Sequence, residues 1–158
     1  MNEIAYRQET FLDKSQWPER GPWDAEPDKA QWIDAETGLP CLAVRARSHW
    51  CGYVGVTEGH PLFLKDYDNA DLSVHGGITF SGPCSGHICH VPEPHQPDHV
   101  WWFGFDCMHG GDIAPCTTQS MFDFESIYPR GGIYRTLDYV KSECRNLARQ
   151  LKAAGETE

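Results

Sequence analysis

Cys41-Leu-Ala-Val-Arg-Ala-Arg-Ser-His-Trp-Cys-Gly-Tyr-Val-Gly-Val56 decides how this chain folds. Two short apolar runs, Cys41–Arg47 and Trp50–Val56, flank a polar turn at Arg47-Ser48-His49. Runs of that length joined so tightly predict a β-hairpin, and a hairpin is antiparallel. Outward from it, a further strand is predicted from Leu72 to Phe80. Gly76-Gly77 interrupts it and implies a bulge or a close backbone approach. A fourth strand covers His99 to Cys107, after a proline- and glycine-rich loop over residues 81–98.

The C-terminal segment changes period. Leu137, Val140, Cys144, Leu147 and Leu151 recur at alternating spacings of three and four, which places them on one face of a helix. Lys141, Arg145, Arg149 and Lys152 lie off that stripe, where they favour the negative end of the helix dipole, and Gly155 suits a stop. The helix is expected over 135–153, with its stripe packed on the sheet. Residues 1–40 are polar and broken by Trp17-Pro18, Gly21-Pro22-Trp23 and Glu26-Pro27. They predict an irregular wrapping segment, pinned by its tryptophans, with a short helix from Pro27 to about Asp34. The expected architecture is α+β: a mostly antiparallel sheet of four or more strands with a long C-terminal helix packed on one face. It forms one domain over 1–158, with the sheet region at 41–107.

Composition narrows the function classes. The chain has 158 residues, 13 Lys and Arg against 23 Asp and Glu, and a net charge of −10. Nucleic-acid binders neutralise phosphates with cations, so a polymer partner of that kind is disfavoured. No apolar run approaches the roughly 20 residues that span a bilayer. The N-terminal Met1–Thr10 lacks the apolar core of a signal peptide. The expectation is a cytosolic protein. Seven cysteines, an odd and irregularly spaced set, fit thiols in a reducing compartment, with Cys41 and Cys144 as small buried hydrophobes.

The stretch Cys84–Cys116 concentrates chemistry, with four of the seven cysteines and five of the eight histidines. Within it, Asp106-Cys-Met-His-Gly-Gly-Asp112 ends an apolar strand. If the strand persists to His109, alternation places Cys107 and His109 on one face and Asp106 on the other, while Asp112 folds back after Gly110-Gly111. Two chemistries fit. In one, Cys107 is a nucleophile, His109 or His75 lowers its pKa, and a carboxylate orients that histidine. In the other, His109 joins Asp106 or Asp112 and His75 to bind a divalent metal that activates water. The plain alternative is a buried thiol beside a histidine that closes hydrogen bonds at a strand end.

Gly-Gly occurs three times, each time after a side chain that can carry positive charge: His75-Gly76-Gly77, His109-Gly110-Gly111 and Arg130-Gly131-Gly132. Consecutive glycines can aim N–H groups at one point and form an anion nest. The third pair runs into Tyr134-Arg135 and the helix start, so Arg130, Gly131, Gly132 and Arg135 are candidate ligands for an anionic molecule; turns and bulges are the commoner use of such pairs. Cys84-Ser-Gly-His-Ile-Cys-His90 offers soft metal ligands in Cys84, Cys89 and His90, with His87 inside the spacing and Cys107 or Cys116 available to complete a zinc site. Zinc there would staple the loop. Glu58 and His60, after the second strand, are placed to line the same cleft as His75. Trp101-Trp102 sends one ring to each sheet face; one belongs to the core and the other suits a stacking platform unless a helix covers it. Walker, dinucleotide-binding, Gly-x-Ser-x-Gly and His-Glu-x-x-His motifs are absent from the sequence.

Several segments together resemble an uncharacterised family of small proteins from bacteria and their phages. They are Gly21-Pro-Trp-Asp-Ala-Glu-Pro-Asp28, Pro40-Cys-Leu42, Trp50-Cys-Gly-Tyr-Val-Gly-Val56 with Glu58-Gly-His-Pro61, Val74-His-Gly-Gly-Ile-Thr-Phe80, Ile88-Cys-His-Val-Pro-Glu-Pro94, Trp101-Trp-Phe-Gly-Phe-Asp-Cys-Met-His-Gly-Gly-Asp112 and Tyr134-Arg-Thr-Leu-Asp-Tyr-Val-Lys-Ser-Glu-Cys144. The chain departs from the pattern at Met108 and Gly110, which carry no ionisable group. The resemblance implies a bacterial or phage cytosolic setting and brings no mechanism with it.

The leading functional expectation is a cytosolic protein that binds a small anionic, nucleotide-like ligand in a cleft lined by His75, Asp106, Cys107, His109 and Asp112. Metal-assisted or cysteine-dependent hydrolysis of that ligand is an extension of this expectation, with zinc the divalent metal in view. The competing expectation is a non-enzymatic phage or prophage protein that sequesters a host small molecule or docks on a host protein.

Overall fold

The computed structural model describes residues 3–115 and 132–156. Six strands form one antiparallel sheet: β1 (Glu3–Glu9), β2 (Lys29–Asp34), β3 (Pro40–Ala46), β4 (His49–Val56), β5 (Phe80–Gly82) and β6 (Trp101–Asp106), in the order β1-β2-β3-β4-β6-β5. One long helix, α1 (Leu137–Glu156), packs across β3 and β4. The class is α+β, as the hairpin and the helical stripe require.

The hairpin is the expected one. Cys41 faces Val54, Ala46 faces His49, and Arg47 takes a φ of 61° at the turn. Strand alternation then sorts the sheet into two faces. Ala30, Trp32, Cys41, Ala43, Trp50, Val54, Phe103 and Phe105 meet Leu137, Val140, Cys144, Leu147 and Leu151 of α1 in one buried cluster. Gly52 permits the close fit, since a β-carbon there would sit 2.4 Å from Phe105 Cζ and 3.0 Å from Cys144 Sγ. On the other face, Leu42, Val44, Cys51, Tyr53, Val100 and Trp102 are buried under Phe80, Cys84 and Ile88. The 81–98 loop is thus a lid on the second face. Trp102 is fully buried there, and Trp101 packs half-buried on the helix side with its indole N–H donated to Lys65 O at 2.8 Å.

Three local expectations are corrected. The helix predicted from Pro27 to Asp34 is strand β2, because its backbone pairs with both β1 and β3 and that pairing overrides a lone proline cue. The 1–40 segment therefore carries two strands, and the sheet extends well before residue 41; Trp23 does pin it, edge-on to Tyr134 at 5.0 Å. The strand predicted from Leu72 to Phe80 shrinks to Phe80–Gly82. Gly76 and Gly77 take φ of 68° and 86°, which no strand accommodates. Residues 73–75 instead bond to α1 side chains: Ser73 N–H to Gln150 at 2.8 Å, Ser73 O from Asn146 at 3.0 Å, and His75 N–H to Glu143 at 2.7 Å.

Candidate functional site

Docking of that segment on α1 brings His75 to the end of β6. His75 Nε2 lies 2.8 Å from Asp112 Oδ2, and Nδ1 lies 2.7 Å from the Tyr139 hydroxyl. A carboxylate only accepts, so Nε2 carries the proton and Nδ1 is free to accept from Tyr139. Asp112 is 1% exposed in its side chain. Its other oxygen accepts from Arg135 Nε at 2.8 Å, and Oδ2 also accepts the His109 N–H at 3.0 Å. Burial alone would raise this carboxyl, but Arg135, His75 and the His109 N–H outweigh it and hold it below the usual carboxylate range. Burial and the nearby Glu143 carboxylate push the Tyr139 hydroxyl upward.

Asp112 folds back as the two glycines before it predict: Asp112 N–H closes a turn on His109 O at 2.9 Å. Asp106 does not stand apart from His109, because the strand ends at Asp106. The chain then turns, bringing His109 Nε2 to 3.1 Å from Asp106 Oδ1. That approach is not aligned for a hydrogen bond, and the shielded Nε2 atom has no hydrogen-bond partner among the described residues. Its ring meets His75 edge-on at 5.8 Å. His49 sits near both Asp106 and Asp112, and burial pushes its imidazole downward.

Of the residues predicted for this cleft, His75, Asp106, His109, Asp112 and Arg135 converge. Cys107 is a neighbour of a different kind. It is 1% exposed in the helix-side core, and burial, reinforced by Asp112, Cys51 and Asp106, raises its thiol well above the ordinary value. A nucleophilic cysteine needs an accessible thiolate, so the cysteine-dependent chemistry expected at Cys107 is corrected to a packing role. Gly132 packs tightly, since a β-carbon there would fall 3.1 Å from Gly111 O, and the next residue, Ile133, donates its N–H to Gly111 O at 2.7 Å, joining the second glycine pair to the chain entering α1. Arg130, Gly131 and Cys116 lie outside the described residues.

The anion expected at the start of α1 is supplied by the chain itself. Leu137 N–H donates to Glu26 Oε2 at 2.8 Å, and Thr136 Oγ1 accepts from Tyr139 N–H at 3.2 Å. Glu26 Oε1 also accepts from Arg45 at 3.0 Å, Trp50 Nε1 at 3.2 Å and the Tyr134 hydroxyl. Arg45, fully buried in its side chain, bonds Asp28 Oδ1 at 3.2 Å, and Lys14 reaches the same oxygen at 2.7 Å. This buried Glu26–Arg45–Asp28–Lys14 network was not foreseen, because its members are scattered over 32 positions of sequence with no motif spacing.

His60, expected near His75, is engaged elsewhere. Its Nδ1 accepts from Leu62 N–H at 3.0 Å, and Nε2 lies 2.7 Å from Leu151 O near the end of α1. Tyr139 and Glu143 were missed, and a signal for them existed. Thr136, Tyr139, Glu143, Asn146 and Gln150 repeat the three-and-four spacing of the apolar stripe and run beside it as a polar stripe.

The second predicted cluster sits in the loop over the other face. Ser85 and Ile88 exchange both backbone hydrogen bonds, at 3.0 and 2.9 Å. Cys84 and Cys89 flank that pair with Cα atoms 4.6 Å apart, matching the ~4.5 Å of a non-hydrogen-bonded strand pair. They form a disulfide, which corrects the expectation that every cysteine stays a thiol; Cys41, Cys51, Cys107 and Cys144 are free and buried. His90 closes the group: Cys84, Cys89 and His90 present ligand atoms all within 4.8 Å of one another, the one such trio found among the described residues.

No helix among the described residues is long and apolar enough to cross a membrane. Comparison with known proteins matches no family model, no curated protein and no solved structure.

Proposed function

We propose that the protein binds a small molecule bearing an anionic, phosphate-like group at the rim formed by Arg135, His109 and Tyr139, over the His75–Asp112 pair. One observation carries this reading. Asp112 holds both His75 Nε2 and Arg135 Nε, while the two Nη groups of Arg135 have no hydrogen-bond partner among the described residues. A guanidinium anchored by Nε presents its remaining fork to a planar or tetrahedral anion. His109 Nε2, shielded from solvent and 3.1 Å from Asp106 Oδ1, lies behind the rim in the same cluster. A nucleotide-like ligand in a bacterial or phage cytosol is the setting this reading adopts.

Hydrolysis is the enzymatic form of the same proposal. A carboxylate that orients an imidazole, whose far nitrogen meets a hydroxyl, is an arrangement suited to moving a proton. Tyr139 would pass its proton to His75 Nδ1 while Asp112 stabilises the imidazolium. Metal assistance at His75, His109, Asp106 and Asp112 is the other form. The non-enzymatic form, sequestration of a host small molecule, is favoured by a separate observation: both nitrogens of His75 are already occupied by side chains of this chain. Docking on a host protein remains with that second form.

The test is an NMR titration of the imidazole resonances with inorganic phosphate and a nucleoside monophosphate, in the native protein and in Arg135→Gln. Binding is expected to move the His109 and His75 signals in the native protein and not in the variant. Unmoved signals with both probes would overturn the proposal. Incubating a panel of phosphate esters with substoichiometric protein separates the two forms. Consumption that disappears in His75→Gln marks a hydrolase, and intact recovery of bound ester marks a receptor.

A further inference from the structure

We propose that Cys84, Cys89 and His90 form a redox-gated site for a soft divalent cation, zinc by preference, separate from the His75–Asp112 cluster. The geometry is built by the hairpin rather than by chance exposure. The Ser85–Ile88 hydrogen-bonded pair forces its neighbours Cys84 and Cys89 to face each other across a non-hydrogen-bonded position. Two sulfurs held that close have two stable fates, a covalent bond or a shared metal.

His90 follows Cys89 directly, and three further facts make it a ligand rather than a bystander. Its Nδ1 atom is shielded from solvent and has no hydrogen-bond partner among the described residues. Among the groups around the ring is the backbone of Pro97, which lacks an N–H and can only accept. Its ring also stands edge-on to Trp102 at 5.3 Å, which fixes its plane.

The surroundings suit the metal form. Trp102, fully buried beneath the loop, donates its indole N–H toward Cys84 Sγ at 3.4 Å, a contact that would stabilise a thiolate. Two thiolates and a neutral imidazole carry the two negative charges that a divalent cation neutralises, so the loaded centre is neutral and fits a half-buried position over an apolar face. A cleft of about 260 Å³ lined by Phe63, Leu64, Cys84, His99 and Trp101 borders one side of the cluster. Three protein ligands would leave one position of a tetrahedral ion to water or an exogenous ligand.

The redox step balances. A dithiol reductant delivers two electrons and two protons to the Cys84–Cys89 bond, giving two thiols and leaving the reductant as its own disulfide. Zinc then displaces the two thiol protons to solvent. Oxidation with loss of metal reverses both steps. Because the loop roofs Leu42, Tyr53 and Trp102, either cross-link keeps the roof closed, and the open dithiol is the loose state.

The experiment uses the full chain. It is reduced with a phosphine under anaerobic conditions, desalted, and titrated with Co²⁺ as a spectroscopic stand-in for zinc. One equivalent is expected to give a thiolate-to-cobalt charge-transfer band and tetrahedral visible bands, both abolished by one equivalent of Zn²⁺. Unreduced protein is expected to give neither. Cys84→Ser and Cys89→Ser should each remove the charge-transfer signature. His90→Gln, which leaves the hairpin and both sulfurs in place, should weaken Zn²⁺ binding by more than the roughly 10–100-fold typical of losing an outer-sphere partner. Cys116→Ser should change nothing. Absence of the band in reduced, folded protein overturns the proposal, as does a band that survives Cys84→Ser or vanishes in Cys116→Ser.

Discussion

The imidazole of His109 fills the space that a side chain at Gly76 would need: a β-carbon there would fall 2.1 Å from His109 Nε2. Gly76 also takes a φ of +68°, so both space and backbone conformation demand glycine. The contact ties the segment docked on α1 to the end of β6, and with it His75 to His109.

Gly76→Ala is therefore expected to displace His109 and destabilise the fold by about 1–3 kcal/mol, the range for a side chain forced into a left-handed conformation. Chemical denaturation measures the loss, and the His75 and His109 imidazole resonances should both shift. An alanine variant with unchanged stability and unchanged imidazole signals would show that the two histidines are not coupled in this way.

Asp112 gives the site its acid sensitivity. Its folded-state pKa is depressed, so as pH falls the unfolded chain takes up the proton first. The stability it contributes is fully present above the ordinary carboxylate value and drains away as pH falls below about 4. Asp112→Asn should cost about 2–3 kcal/mol at neutral pH, less than the 3–5 of a fully buried pair because Arg135 and His75 reach solvent. The same variant should flatten the acid limb of the stability curve. Urea denaturation across a pH series reads both, and parallel acid limbs would refute the assignment.

Arg45 tests the network that holds the start of α1. Its guanidinium serves Asp28, Glu26, Ser48 O and the Tyr134 hydroxyl at once, and its plane lies over Trp50 at 4.4 Å. A lysine offers one point charge in place of that fork. Arg45→Lys is expected to destabilise by about 3 kcal/mol or more, visible as a large fall in Tm by calorimetry; a near-native Tm would show the fork to be dispensable.

Cys107 should be inert in the folded protein. Thiol-reactive reagent at about pH 8 is expected to leave Cys41, Cys51, Cys107 and Cys144 unmodified until denaturant is added, since buried thiols are neither ionised nor accessible. Cys107→Ser should leave ligand binding at the Arg135 rim unchanged. Rapid labelling of Cys107 in native protein, located by peptide mass mapping, would restore the thiol reading.

Much of the fold was legible from local pattern. The hairpin at 41–56, the strand ending at Asp106 and the apolar stripe of α1 each follow from periodicity, which records what a segment buries. Pattern failed where partners decide. Lys29–Asp34 reads equally well as a helix start, and only its position between β1 and β3 makes it a strand. Leu72–Phe80 has strand-like residues, yet the backbone N–H groups of Ser73 and His75 go to Gln150 and Glu143 on α1.

The candidate site divides the same way. Sequence alone determined that His75, Asp106, His109 and Asp112 end or interrupt strand-like segments, because glycines punctuate them and polar side chains close them. It also determined that Cys84, Cys89 and His90 share one short loop. Tertiary structure decided which of these groups touch. Asp112 pairs with His75 and Arg135, residues 37 and 23 positions away, and Tyr139 completes the chain from a helix stripe that looks like ordinary solvated surface. It decided too that Cys107, adjacent to the site in sequence, is 1% exposed and packs into the helix-side core, which no local pattern announces.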